Sequence, residues 1–188
     1  APDATVTCVV DTDTLRSALR ARGFAFHKVD FVYGGAMVGR LLAAGIEKDH
    51  VNRIGYQAIH EAVWFGADEP DEISTVQVLV AGGVELDRPS GQEALTPLEM
   101  ARARGYPTLE RVLDAAARHE PSEDPDATLL AAAARGDADA AALALRDGAD
   151  IEARDGQNRS ALESASGGDH DEVVRMLLAL GASPGPAR

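Results

Sequence analysis

The sequence predicts an all-α fold in which short helices form pairs and the pairs stack on one another. Three observations lead to this prediction. Apolar residues make up 45% of the chain but aromatic residues only 4%, so small side chains must fill the core, which suits closely packed helices. Runs rich in Val, Ile, Thr and Tyr, which are typical of strands, are scarce. The third observation is an internal repeat, which is the sequence signature of a stacked architecture.

The repeat is clearest in the second half of the chain. Segment 156–182 aligns without gaps on segment 122–149, and Gly181 follows Gly148 by 33 residues (181 − 148 = 33). Earlier copies lie at 93–117 and 55–84, with a half-copy at 37–46. A single helix pair cannot bury its apolar face alone, so the copies are expected to stack into a solenoid.

Each copy predicts a first helix, a stop and a second helix. The first helix begins at a polar residue or proline, most clearly at Thr96-Pro97, because threonine caps free N–H groups and proline suits the first turn. The second helix carries apolar residues at helical spacing, as in 173–178, and the glycines at 148 and 181 predict a left-handed C-terminal cap. The predicted stops after the first helices are Gly66, Gly105, Gly136 and Asp169.

This pattern resembles the ankyrin-repeat family, most closely in "TPLEMA" (96–101) and "DEVVRMLLALGA" (171–182). The resemblance covers about three and a half repeats over 36–184 and implies an ankyrin-repeat solenoid of stacked helix-turn-helix pairs. The repeats lie near 36–51, 52–87, 91–119, 122–154 and 155–184. The family's Thr-Pro pair is replaced by Gln57-Ala58, Ala127-Thr128 and Ser160-Ala161 in the other copies.

The regions outside the repeat carry weaker signals. Residues 1–35 fit the period poorly and are expected to form an irregular N-terminal cap on the first repeat, and residues 185–188 form a tail. Within that cap the sequence predicts a short strand or arm at 5–10, a capped helix at 11–23 and an apolar loop at 24–35. The acidic segments 67–73 and 118–126 interrupt the period and are expected to be solvated loops.

Charge and cysteine content exclude several classes of function. A net charge of −13 argues against nucleic acid and anionic membranes as partners, while it would attract a basic protein. The only cysteine, Cys8, leaves no intramolecular disulfide and no Cys-based zinc cluster. No apolar run reaches the roughly 18 residues of a membrane span. We expect a monomeric cytoplasmic protein, with the periplasm as the alternative if a signal peptide was removed before Ala1.

Three stretches raise the question of catalysis or metal binding. "VVDTDTL" (9–15) resembles the nucleophile motif of haloacid-dehalogenase-like phosphatases, with Asp11 as nucleophile and Asp13 as acid, although either aspartate also suits a helix N-cap. His60-Glu61 lacks the second histidine that a zinc-protease helix needs. The ankyrin resemblance implies structural roles for His60 and for His170 in "GGDHDE". The sequence therefore predicts no enzyme, no metal and no cofactor.

The candidate binding residues follow from the resemblance, because ankyrin proteins meet their partners through a concave face. The finger turns and first-helix ends that form this face carry Arg53, Tyr56, Trp64, Phe65, Arg104, Arg135, Arg154 and Arg159. Aromatic residues and arginines are enriched in interface hot spots. The alternative is that Trp64 and Phe65 pack under the N-terminal segment.

The predicted function is binding of another protein, such as a basic effector or toxin. Bacterial members of the family are often encoded beside toxins or enzymes, so the resemblance and the charge imply an immunity protein or inhibitor. The alternatives are a structural scaffold or chaperone-like module and, less favoured, the phosphatase.

Overall fold

The computed structural model describes residues 34–184, and these residues form an all-α fold. The nine helices of this range are α1 (Gly35–Ala43), α2 (Ala58–Phe65), α3 (Pro70–Ala81), α4 (Pro97–Arg104), α5 (Pro107–Ala117), α6 (Pro125–Arg135), α7 (Ala138–Arg146), α8 (Ala161–Gly167) and α9 (Asp171–Ala179). None of them is both long and apolar enough to cross a membrane. The predicted all-α class is thus confirmed for residues 34–184, while the predictions for 5–10, 11–23, 24–33 and 185–188 lie outside them.

The first helices begin as the sequence predicts, through side-chain caps. At α4, the Thr96 hydroxyl accepts a hydrogen bond from the Glu99 N–H (3.3 Å), and the Glu99 carboxylate accepts one from the Thr96 N–H (2.8 Å). Ser160 and Glu163 form the same reciprocal pair at α8, at 3.1 and 2.8 Å. Each pair satisfies N–H groups that the helix cannot bond internally, which fixes where the helix starts.

Several second helices end through the same glycine-based cap. The residue after α7's C-cap, Gly148, has φ of 97°, and the next N–H, of Ala149, reaches back to the Ala144 carbonyl at 3.0 Å. Gly181 (φ 100°) closes α9 in the same way, and Gly45 and Gly83 do so for α1 and α3. Only glycine adopts this left-handed conformation without strain, so the predicted caps at 148 and 181 are confirmed.

The turns that precede α2, α4 and α8 share one conformation. Gly55, Ala94 and Asn158 all have positive φ, at 85°, 54° and 61°, and each lies two residues before the helix N-cap. Alanine holds this conformation at a cost of roughly 1 kcal/mol, so the turn is imposed by its surroundings. Before α6 this turn is missing, and instead His119 and the Ser122 N–H both bond the Asp147 carboxylate at 2.8 Å. The repeat is therefore broken between α5 and α6.

The prediction that the two acidic segments are solvated loops is correct only in part: residues 67–69 and 118–124 lie outside helices, whereas 70–73 and 125–126 are helical. Helix α3 starts at Pro70, inside 67–73, with Asp71 and Glu72 in its first turn, where carboxylates complement the helix dipole. Asp68 accepts the Thr108 and Leu109 N–H groups at 2.9 Å each. Burial acts to raise the Asp68 pKa, but these N–H groups outweigh it, so the pKa is lowered. In the second segment, 118–126, the chain enters α6 at Pro125 behind an Asp124 cap.

Helix α3 is the centre of the structure. It packs against α1, α2, α5, α7 and α9, and its residues 75–81 are all buried. In a stack of consecutive pairs, a helix would contact only neighbouring pairs, whereas here the last helix, α9, packs against both α3 and α1. Helices α4 and α6 do not lie side by side as α2 and α4 do, or α6 and α8. The pairs after the 118–124 connection thus fold back onto α1 and α3.

Polar contacts fix this folded-back packing. The Gln77 amide in α3 donates hydrogen bonds to Asp139 of α7 and Glu172 of α9, both at 2.8 Å. Arg146 at the end of α7 donates to the Val84 carbonyl (2.9 Å) just beyond α3, where helix carbonyls lack internal partners. These bonds join segments far apart in sequence, so the sequence pattern of a single repeat does not predict them.

Candidate functional site

The ends of α2 and α4 lie side by side and bring together an aromatic residue and an arginine. Trp64, the only tryptophan of the chain, is half-buried one residue before the end of α2, and Arg104 is the last residue of α4. The guanidinium carbon of Arg104 lies 5.0 Å from the Trp64 ring centroid and 5.3 Å from that of Tyr106. A cation held over two aromatic rings is attracted by both, so Arg104 is positioned at the surface.

Tyr56 supports this cluster from inside and is not itself a contact residue. Its side chain is 2% exposed and meets Trp64 edge to face, with ring centroids 6.2 Å apart. Its hydroxyl donates a hydrogen bond to the Glu93 carboxylate. Burial, and then the bond and charge of Glu93, raise the pKa of the phenol. The prediction that Tyr56 faces a partner is therefore wrong, because its position after the turn directs it into the core.

Tyr106 also belongs to the cluster, although it is not among the candidate binding residues that the sequence predicts. Its hydroxyl donates to the Gly66 carbonyl (3.1 Å) at the end of α2 and accepts a hydrogen bond from Arg104 Nε (3.2 Å). It is also the residue that precedes α5. The signal was its place directly after Gly105, which puts its ring next to a predicted contact residue. Tyr106 therefore ties Arg104 to the preceding helix pair.

Exposed apolar side chains accompany the cluster. In residues 34–184 the exposed large apolar residues are Ile54 (39%), Phe65 (51%) and Leu178 (45%). Phe65 is the last residue of α2, and Ile54 lies beside the exposed Arg53 in the turn that leads to Tyr56. We call Arg53, Ile54, Trp64, Phe65 and Arg104 the Trp64 surface. An arginine held by aromatic rings with exposed apolar side chains is the composition of an interface core.

The remaining predicted arginines lie in the other half of the chain. Arg154 donates to the Glu163 carboxylate (3.2 Å), and Arg159 pairs with Asp155 (2.8 Å). Arg135, the last residue of α6, is exposed. Because α4 and α6 do not lie side by side, no continuous layer of first helices joins these three to Arg104. Of the predicted set, the structure therefore places Tyr56, Trp64 and Arg104 in one cluster and leaves Arg135, Arg154 and Arg159 apart from it.

His60 is a buried structural residue. Its Nδ1 accepts a hydrogen bond from the Gln57 N–H (3.3 Å), and its Nε2 lies 3.0 Å from the Arg88 carbonyl, to which the neutral ring donates. Burial lowers its pKa below the ordinary 6.5, in spite of the bond to Arg88. The ring thus joins α2 to the segment between α3 and α4, which confirms the structural role expected from the sequence.

His60 predicts a loss of stability in acid. Its pKa is lower in the folded state than in the unfolded state, so the unfolded chain binds the extra proton more readily. The stabilisation by His60 is complete above pH 6.5 and decreases as the pH falls below that value. Urea unfolding of wild type and His60→Gln across this range checks it: the difference in unfolding free energy should shrink in acid. A difference independent of pH would contradict the prediction.

The metal and phosphatase hypotheses find no geometry to support them in the described residues. Within 34–184, no three His, Cys, Asp or Glu side chains come together as metal ligands. His170 precedes α9, where its Nε2 lies 3.2 Å from the Ala134 carbonyl, so it bridges two helix pairs. Asp11 and Asp13 lie outside the described residues.

Comparison with known proteins adds no assignment. No protein-family model matches the chain, and no curated protein matches its sequence. Any functional assignment therefore rests on the residues of the chain itself.

Proposed function

We propose that the protein is an ankyrin-repeat protein that binds another protein and performs no catalysis. The repeated local geometry supports the fold part of this proposal. The turns at Gly55, Ala94 and Asn158 share one conformation. Tyr106 and His170 precede second helices and each bonds a carbonyl near the end of an earlier first helix. Equivalent positions in different copies thus adopt the same conformation and make the same kind of contact, as in a repeat protein.

The folded-back packing modifies this proposal. The pairs α2/α3 and α4/α5 stack on each other, as do α6/α7 and α8/α9, but the two blocks meet through α3, α7 and α9. The helices that make the contact between the two blocks are second helices. The ends of the first helices α2 and α4 therefore stay at the surface. A partner would therefore meet one two-pair block at the Trp64 surface rather than a groove that runs along all copies.

The observation that carries the binding function is the stacking of Arg104 on Trp64 beside the exposed Phe65. Trp and Arg are enriched among residues whose truncation costs about 2 kcal/mol or more of binding energy. The net charge of −13 favours a partner that is basic as a whole, such as a bacterial toxin or enzyme that this protein inhibits in the cytoplasm.

Site-specific photocross-linking tests the function. Residues 65 and 178 form a matched pair, since Phe65 is 51% and Leu178 45% exposed and they lie on different helices. A photoreactive phenylalanine analogue at position 65, in cells that make the protein, is expected to capture a discrete partner. The same analogue at position 178 should not capture it.

Arg104→Glu supplies the control for this experiment. The side chain is exposed, so the variant should keep the wild-type helical content and melting temperature while it loses at least tenfold in cross-linked product. Trp64→Ala is less informative, because the half-buried ring also packs against the core. Equal capture at both positions, or capture that survives Arg104→Glu, would remove the Trp64 surface as the binding site.

A further inference from the structure

We infer that the Trp64 surface binds a partner segment in which an aspartate or glutamate side chain lies next to an apolar side chain. Arg104 receives the carboxylate, and Phe65 and Ile54 contact the apolar neighbour. The inference rests on the proposed binding function and adds the chemistry that the surface recognises.

The guanidinium of Arg104 is held in place before any partner arrives. It lies over the Trp64 and Tyr106 rings, and its Nε is bonded to the Tyr106 hydroxyl. Within residues 34–184, its two terminal nitrogens make no hydrogen bond, and no carboxylate pairs with them. A planar guanidinium with both terminal nitrogens available matches the two oxygens of a carboxylate. Because the side chain is already ordered, binding costs less conformational entropy.

Half of the twelve arginines in residues 34–184 pair with a carboxylate, and Arg104 belongs to the other half. The arginines of the described residues that pair with carboxylates are Arg88, Arg102, Arg111, Arg118, Arg154 and Arg159. The other six, which include Arg104 and Arg53, have no such pair among those residues. Glu93, an acidic side chain of the cluster, accepts hydrogen bonds from Tyr56 and Ser90. The Trp64 surface is therefore a local cationic site on an anionic protein, and it selects a carboxylate.

The apolar half of the recognised segment follows from the neighbours of Arg104. Phe65 ends the helix that packs beside α4, and it is 51% exposed. Ile54, 39% exposed, precedes the buried Tyr56 by two residues. Burial of these side chains would contribute roughly 25 cal/mol per Å² of apolar area, whereas a bare anion gains nothing from them. An acidic side chain beside an apolar one thus uses both parts of the surface.

Selection from a random peptide library tests the inference with the full-length protein as bait. Peptides retained by wild type are counter-selected against Arg104→Glu and then synthesised. We expect the retained peptides to share Asp or Glu next to an aromatic or aliphatic residue. Exchanging that acid for its amide should weaken binding at least tenfold, as the fluorescence of the single tryptophan, Trp64, reports.

Arg104→Lys completes a double-mutant cycle, because it keeps the charge but loses the planar fork. It should weaken binding of the acidic peptide about tenfold and leave binding of the amide peptide unchanged. Basic peptides, peptides that need only their C-terminal carboxylate, or no peptide above the Arg104→Glu background would overturn the inference. The proposed function would survive any of these results if the cross-link at position 65 still formed.

Discussion

Replacing Gln77 by glutamate is expected to lower the free energy of unfolding by about 3–5 kcal/mol at neutral pH. Gln77 is 1% exposed, and its amide donates to Asp139 and Glu172 at 2.8 Å each. The substitution replaces a donor that two carboxylates share with a third carboxylate in the same buried place. Among the described residues Arg111 pairs with Asp139, and no arginine pairs with Glu172.

Urea unfolding at several pH values measures this effect. The pKa of the introduced carboxyl should be raised in the folded state, so its penalty is largest at neutral pH and shrinks as the pH falls toward about 4.3. Gln92→Glu, the same change at an exposed turn position, is the control and should alter stability by less than about 0.5 kcal/mol. If the two variants behaved alike, Gln77 would be solvent-exposed, and the packing of α3 against α7 and α9 would be wrong.

The local structure of each copy could be predicted because it depends on a few neighbouring residues. Thr96-Pro97 starts a helix through its own hydroxyl and ring, and Gly148 ends one because it alone accepts the left-handed backbone. The start of α3 has an equally local signal, because proline followed by two acidic residues, Pro70, Asp71 and Glu72, is typical of a helix N-terminus. The repeat alignment instead predicts a loop there, because these residues exceed the length of the period.

The folded-back packing could not be predicted from the period. The repeat gives every second helix the same apolar face, so the sequence does not decide whether α7 packs on α5 or on α3. Gln77 lies in the run "VQVLV", where an amide suits a solvated face as well as a buried contact with Asp139. Whether α7 packs on α3 or on α5 depends on the combined fit of side chains that are far apart in sequence. Gln77 and Asp139, which share a hydrogen bond, are 62 residues apart.

The candidate site was predicted in part for a similar reason. Trp64 and Arg104 end the first helices of adjacent copies, so the spacing of the repeat is enough to bring them together. Arg154 and Arg159 lie in the turn before α8. Arg154 pairs with Glu163, nine residues away, and Arg159 pairs with Asp155, four residues away. The contribution of Tyr106 depends on its hydroxyl reaching Gly66 in the previous pair, a contact that no local pattern encodes.

Gly39→Ala is expected to destabilise the protein by about 2 kcal/mol, although alanine normally favours a helix over glycine. A Cβ atom at position 39 would lie 2.4 Å from the Ala179 carbonyl oxygen, and this backbone atom cannot move aside as a side chain does. Either α1 or α9 must shift, which opens the packing that closes the folded-back structure. Urea unfolding measures the loss, and amide exchange should show reduced protection in α1 and α9.

Gly167→Ala provides the matched control for this prediction. It is also a helical glycine, the last residue of α8, but no atom lies within 4 Å of the position that its Cβ would take. This variant should keep or raise the free energy of unfolding, by up to about 1 kcal/mol. The two variants are thus expected to change stability in opposite directions, since only one faces another backbone. Stabilisation by both would mean that α1 and α9 lie apart in solution, as they would in a single stack of consecutive pairs.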